Sequence, residues 1–311
     1  MEFSLMTEPQ TGGTYDDMLA AARWCERSGL VGFARSDHYH WSHEDPTDAT
    51  DAFATLAGLA RDTQTIRLCV MVTPITFRHP AVIAKNAATI DQMSNGRLDL
   101  GLGTGWNEAE HEALGLPFPE RGERFGRLTE AVAYLEAAFG SGRTRYDGDY
   151  YRLDGDIRPN PSGLNLIIGG SGARRTPTLA GRRADEYNTF LGSAADAAPK
   201  ISVMRSAAEA AGRDPHAIRV SMMGQVFAAP DQAAYRTLME RATSQRDMTV
   251  GELEVRFAER GVPHGTPDQL GETLAELEKA GVSRIYLQHM DLTDLEPLDA
   301  LWAAVCASGS T

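Results

Sequence analysis

The chain predicts an α/β fold, a (β/α)8 TIM barrel with insertion segments. Three observations carry this: strand-like and helix-like segments alternate throughout, eight strands can be counted, and 311 residues suit a barrel better than an ordinary domain. With 42% hydrophobic residues there is ample material for one large interior. A single domain over 1–311 is expected, without an internal repeat of short fixed period.

Residues 2–7 alternate as a first strand. Residues 14–28 place Met18, Leu19, Ala22 and Cys25 at helical spacing until Gly29 stops the helix. A second strand ends at Ser36, Asp37 and His38, and 47–62 reads as a helix capped by Thr47 or Asp48. An apolar run at 66–72 has strand length, and 79–93 reads as a helix. Next, Leu98, Leu100 and Leu102 alternate with Asp99, Gly101 and Gly103, the two-residue period of a strand that dissolves into glycine by Gly105. This βαβαβαβ order predicts a parallel sheet.

A helix at 123–139 leads into residues 140–163, dense in Gly, Arg, Tyr and Pro, which read as an irregular insertion because the alternation resumes beyond them. Strand 164–168, helix 174–182, strand 186–191, helix 194–211 and strand 218–227 follow. Residues from about 231 to 265 form an extra polar helical segment, 267–280 a further helix, 283–288 the eighth strand and 295–306 a closing helix.

The net charge of −13 argues against a nucleic-acid partner, which calls for a basic footprint. No apolar run approaches the roughly 20 residues that span a bilayer. Residues 1–10 carry no basic region or cleavage site, so a soluble cytoplasmic protein is expected. Cys25, Cys69 and Cys306 are odd in number and lie in apolar contexts, which suits buried thiols in a reducing compartment.

In barrels the reactive groups gather at the C-terminal ends of strands. The second strand ends in Ser36, Asp37, His38, Tyr39, His40 and Trp41, a density of carboxylate, imidazole and aromatic groups rarely needed for packing. His38 can exchange a proton near neutral pH and Asp37 can fix its tautomer or accept from a ring N–H; capping a turn is the packing alternative. His40 and Trp41 suit pocket walls. The third strand's Val70 and Met71 predict core packing alone. The G-x-G-x-G ending at Gly105 leaves strand backbone bare enough for a flat ligand, and lacks the G-x-G-x-x-G spacing of a dinucleotide fold. Gly170, Ser171 and Gly172 run into a helix start, where free N–H groups suit an anionic oxygen, with Arg174 or Arg175 adding charge. At the eighth strand's end His289 and Asp291 can reach the barrel mouth or cap the last helix.

With these regions in place the chain resembles the bacterial-luciferase-like superfamily of flavin- and deazaflavin-dependent oxidoreductases. The resemblance lies in Thr73 to Pro80, Gly96 to Trp106, Glu110 with His111, and Gly115 to Pro119, while Ser36 to Trp41 looks like the coenzyme F420 branch. It implies a luciferase-like barrel with an insertion after the fourth strand and a tricyclic ring of F420, or alternatively FMN, at the strand ends. It also implies a non-proline cis peptide behind the ring, between Val70 and Met71, the ring edge facing Asp37 and His38, and a phosphate near Gly170 to Gly172. The ring would lie in the bare patch from Gly101 to Gly105. Dimers are common in the family, so a homodimer is expected.

One departure matters. Where glucose-6-phosphate dehydrogenases of the F420 branch carry a catalytic glutamate after the G-x-G, this chain has Trp106, which suits an apolar substrate pocket instead. Lys85, Lys200 and Lys279 are its only lysines, few for a sugar phosphate. The expectation is therefore hydride transfer between F420 and a small organic substrate, with His38 as proton donor and Asp37 beside it, Val70, Met71, Gly103 and Gly105 against the ring, and Trp106 and His289 toward substrate. The alternative is an FMN-dependent monooxygenase using O2 and flavin reduced by a separate enzyme. A zinc hydrolase built on His38, His40 and His289 lacks ligands, since no histidine lies between His111 and His216.

Overall fold

The computed structural model describes residues 1–39, 47–244 and 247–310. Its elements in chain order are β1 (Glu2–Thr7), α1 (Tyr15–Ser28), β2 (Gly32–Arg35), α2 (Ala52–Asp62), β3 (Arg67–Pro74), α3 (Pro80–Ser94), β4 (Leu98–Gly103) and the short α4 (Glu108–Ala113). Then come α5 (Arg121–Ala138), β5 (Thr144–Asp147), β6 (Arg152–Gly155), β7 (Asn165–Gly169), α6 (Arg175–Arg183), β8 (Glu186–Phe190), α7 (Ala194–Ala210) and β9 (Arg219–Gly224). The chain closes with β10 (Phe227–Ala228), α8 (Gln232–Thr243), α9 (Val250–Arg260), β11 (His264–Gly265), α10 (Pro267–Ala280), β12 (Arg284–His289) and α11 (Glu296–Ala307).

Eight parallel strands form a closed barrel in the order β1, β12, β9, β8, β7, β4, β3, β2. The eight-stranded barrel read from the alternation is thus the observed one. Three differences have local causes. Helix α2 starts later than expected because Asp51, rather than Thr47 or Asp48, caps it by accepting from the Ala54 amide at 2.9 Å. The insertion at 140–163 is not irregular: β5 and β6 pair as an antiparallel hairpin, tied to α5 by Glu130, which accepts from the amides of Asp149 and Tyr150. The extra helical segment is two helices bracketed by a small β10–β11 ladder.

The strand period sorts side chains onto two faces. Leu98, Leu100 and Leu102 point outward into the main core with the helices, while Asp99, Gly101 and Gly103 point into the barrel. The interior is layered. At its base, Arg284 reaches Glu186 at 3.1 Å, Arg67 reaches Asp99 at 2.6 Å, and Asn165 donates to Asp99 at 2.7 Å. Burial pushes the Glu186 carboxyl up, against the opposing pull of Arg284. Above lies a compact apolar layer containing Cys69, Ile167 and Tyr286, and at the top Met6, Met71 and Met223 open onto a cavity.

Candidate active site

The cavity, of about 730 Å³, sits over the C-terminal strand ends, where barrel sites are built. One side is shaped by a bulge in β3. The pairing of β3 with β4 skips a residue between Val70 and Thr73, so that Met71 and Val72 both turn inward. A β-carbon on Gly103 would lie 2.6 Å from Val72 Cγ2, and one on Gly169 would lie 2.8 Å from Val72 Cγ1. At Gly101 the obstacles would be the Val70 carbonyl oxygen at 2.4 Å and Val72 Cγ1 at 2.8 Å. The glycines therefore make room for the bulge.

This corrects the expectation that Gly101 to Gly105 leave a bare patch: Val72 fills the space at Gly101 and Gly103, Thr76 and Pro74 crowd Gly105, and Val72 joins Met71, Gly103 and Gly105 in the cavity wall. Val70 is enclosed in the core with the helices. The cis peptide lies between Met71 and Val72, one bond later than expected.

His38 lines the same cavity from the end of β2, the strand next to β3. Asn107 caps α4 by accepting from the Glu110 amide, and this turn carries Glu110, 1% exposed, against the end of β2. Glu110 Oε2 lies 2.8 Å from His38 Nδ1, and Oε1 accepts from the Tyr39 amide. Because a carboxylate only accepts, Nδ1 carries the proton and Nε2 is left as the nitrogen for proton exchange. The edge of Trp106, 64% exposed at the mouth, meets the imidazole with centroids 5.5 Å apart.

Asp37 does not line the cavity. Its carboxylate is 1% exposed and bound by both terminal nitrogens of Arg78, at 2.5 and 3.2 Å. Arg78 also holds the Tyr39 hydroxyl and Asp51, so a single guanidinium ties down the residues flanking His38. Burial pushes the Asp51 carboxyl up, but the Ala54 amide and Arg78 outweigh it and hold it below the ordinary value. Burial raises the Tyr39 phenol.

On the opposite side, Gly170, Ser171, Gly172 and Arg174 line the cavity where β7 runs into α6. Among the described residues nothing accepts from the amides of residues 171–176, and Arg174 makes no side-chain cap. Thr176 packs beneath the turn; a β-carbon on Gly172 would lie 3.0 Å from its hydroxyl. Arg121 and Arg175 stand on the same wall, Arg175 stacked 4.0 Å over Phe125. Unpaired amides at a helix start with guanidiniums beside them are an anion cradle.

The structure thus brings together His38, Met71, Gly103, Gly105, Trp106, Gly170, Ser171, Gly172 and Arg174 on one cavity. His289 is not among its lining residues: its Nε2 lies 2.9 Å from the Asp294 carbonyl oxygen, and the preceding Gln288 faces the cavity. His40 and Trp41 lie outside the described residues. Sequence reasoning assigned no role to Glu110 or Arg78, although both fall in quoted motifs, and passed over Glu8 and Gln10 at the end of β1. The strand-end rule applied to the first strand would have found the last two.

The luciferase-like monooxygenase family model matches residues 1–284. The chain belongs to this family. Similar proteins include the F420-dependent glucose-6-phosphate dehydrogenase of Kineococcus radiotolerans, 36% identical over 194 residues that cover 60% of this chain and 57% of that protein. The pyrimidine monooxygenase RutA of Escherichia coli is 32% identical over 192 residues, 60% of this chain and 51% of that one. The chain spans about half the length of the curated relatives it matches. Among solved structures, an F420-dependent secondary alcohol dehydrogenase holding an F420-acetone adduct superimposes with a TM-score of 0.80 at 20% identity, over 99% of this chain and 98% of that one. At so low an identity the superposition establishes a shared fold alone.

Proposed function

We propose that this luciferase-like protein is an oxidoreductase that takes coenzyme F420 and exchanges a hydride with a small organic substrate. The observation that carries this reading is the anion cradle of residues 171–176 with Arg121, Arg174 and Arg175, in a chain whose net charge is −13. Cations concentrated on one cavity wall of an acidic protein support a ligand with a long anionic arm. The flat wall of Met71, Val72, Gly103 and Gly169 supports a planar ring beside it, and the similarity to F420-dependent dehydrogenases agrees.

When bound, the deazaflavin supplies two-electron chemistry at its C5. The protein's part is to bind and orient. The amides of 171–176 would hold the phosphate, the β3 bulge would lie against the ring, and His38, held through Nδ1 by Glu110, would present Nε2 to donate or accept the substrate proton. Trp106 covers the mouth. The cavity has no lysine among its described lining residues, which supports a substrate other than a sugar phosphate.

The second reading, FMN-dependent monooxygenation, is favoured by similarity to RutA and would use the same cradle and wall with flavin reduced elsewhere. Titration of the purified protein with each cofactor separates the two. Sub-micromolar affinity for F420 with reduction of an unsaturated or carbonyl compound by F420H2 is expected; tight FMN binding with none for F420 overturns the first reading.

A further inference from the structure

Opposite the cradle, the cavity has a polar floor that the proposed chemistry does not use. Glu8, at the end of β1, is 6% exposed and lines the cavity with Gln10, Ser36 and Gln288. Its Oε2 accepts from Gln10 Nε2 and its Oε1 from Gln288 Nε2, both at 2.6 Å. Ser36 in turn donates to Gln10 Oε1 at 2.6 Å. A carboxylate cannot donate, so both glutamines must present nitrogen to it, and their amide orientations are thereby fixed. Among the described residues no arginine or lysine pairs with Glu8. Buried carboxylates ordinarily have a cationic partner.

The floor therefore spends one N–H of each glutamine and the Ser36 O–H internally; it keeps the second N–H of each glutamine, but the spare lone pairs on Glu8 and the carbonyl oxygens outnumber these and the Glu8 charge is uncompensated. Around it stand Met6, Met71 and Met223, pliable apolar groups that suit a hydrocarbon body.

We propose that Glu8 is a specificity-determining residue: it selects substrates that carry an N–H or O–H donor on an apolar body, neutral or cationic, and rejects carboxylates and phosphates. This rests on the cavity being the substrate chamber of the redox site proposed above. It divides the cavity into two electrostatic poles, the basic cradle for the cofactor and the acidic floor for the substrate. An anionic substrate group on the floor would meet Glu8 without a counter-charge, the arrangement that costs most in a desolvated pocket.

The test uses benzamide and benzoate, nearly equal in shape, and benzylamine as a cationic donor, each titrated by ligand-detected NMR into the purified protein with the cradle occupied by F420 or, in a parallel series, by saturating inorganic phosphate, so that benzoate reports on the floor. Benzamide and benzylamine are expected to bind at least about ten-fold tighter than benzoate, and Glu8→Gln to bring benzamide and benzoate within about three-fold of each other. Should Glu8→Gln fail to fold, Gln288→Lys decides, since a counter-charge placed beside Glu8, where Gln288 Nε2 now lies 2.6 Å from it, must close the gap. Equal affinities in the wild type, tighter benzoate binding, no binding of any of the three at millimolar concentration, or a ratio unmoved by both variants overturns the proposal. The F420 affinity of the same samples reports separately on the redox reading: its loss with the selectivity intact removes the cofactor and leaves the floor.

Discussion

Gly103→Ala is the most informative single change, because the structure gives its obstacle a name. The new methyl would lie 2.6 Å from Val72 Cγ2, a separation that real side chains do not tolerate, so Val72 must shift toward the cavity. Overpacking of this kind costs about 1–3 kcal/mol. Val72→Ala alone removes two methyls from a partly buried site and costs about 1–2 kcal/mol. In the double variant the clash has no partner, so its penalty should fall short of the sum by about 1 kcal/mol or more. Gly101→Ala is the control. Its methyl would meet Val72 Cγ1 at 2.8 Å but also the Val70 carbonyl oxygen at 2.4 Å, a backbone clash that Val72→Ala leaves in place, so rescue there should be only partial. Urea denaturation midpoints and slopes of the single and double variants measure these terms. F420 affinity should fall in Gly103→Ala and recover in the double variant. Additive penalties, or equal rescue of Gly101→Ala and Gly103→Ala by Val72→Ala, would refute the account of why this strand ends in glycine.

His38→Ala is expected to lower turnover by about 100-fold with cofactor affinity retained, since the role proposed for the imidazole is to move a proton and not to hold the phosphate; unchanged turnover in steady-state assays removes it from that role. Trp106→Ala should redistribute kcat/KM among substrates with little loss of stability, as 64% of the residue is exposed; an effect confined to cofactor binding contradicts its place at the substrate mouth. Glu26 sets an acid limit to stability. Burial raises its carboxyl, but the amides of Thr65, Ile66 and Gln64 at 2.6, 3.1 and 2.8 Å outweigh that and hold it below the ordinary value. Its stabilisation is thus present above the unfolded pKa of about 4.3 and lost as pH falls through the lower folded value. Glu26→Gln should cost about 1–2 kcal/mol at pH 7, with the difference from wild type shrinking in acid; a difference that grows in acid would show the sign to be wrong.

The barrel was legible because two periods repeat down the chain. Leu98, Leu100 and Leu102 announce a strand, and helix α10 at Pro267–Ala280 opens on Thr266 and Pro267 and closes on Gly281, as local chemistry directs. Strand ends then pointed to His38 and Ser171, and the departure from the family pattern to Trp106, all three of which line the cavity. What stayed hidden depends on distant pairing. Nothing in the sequence near Asp37 says that Arg78, 41 positions away, will bind its carboxylate and turn it from the cavity. Likewise Glu110 meets His38 across 72 positions. The glycines of β4 were recognised as a space, but whether ring or protein fills it is set by a bulge in β3, and the apolar residues Val70, Met71 and Val72 carry no mark of that bulge. The hairpin in the insertion was missed because its strands are four residues each, too short for a period to show.

The central claim is that one cavity seats an anionic arm on the amides of 171–176 and a planar ring on the Val72 wall. A crystal structure of the protein with F420 bound tests it most directly. The account predicts phosphate oxygens within hydrogen-bonding distance of those amides, the ring resting on Met71 and Val72, and His38 Nε2 on the side of C5. A ring bound elsewhere, with the amides of 171–176 turned to solvent, would contradict it.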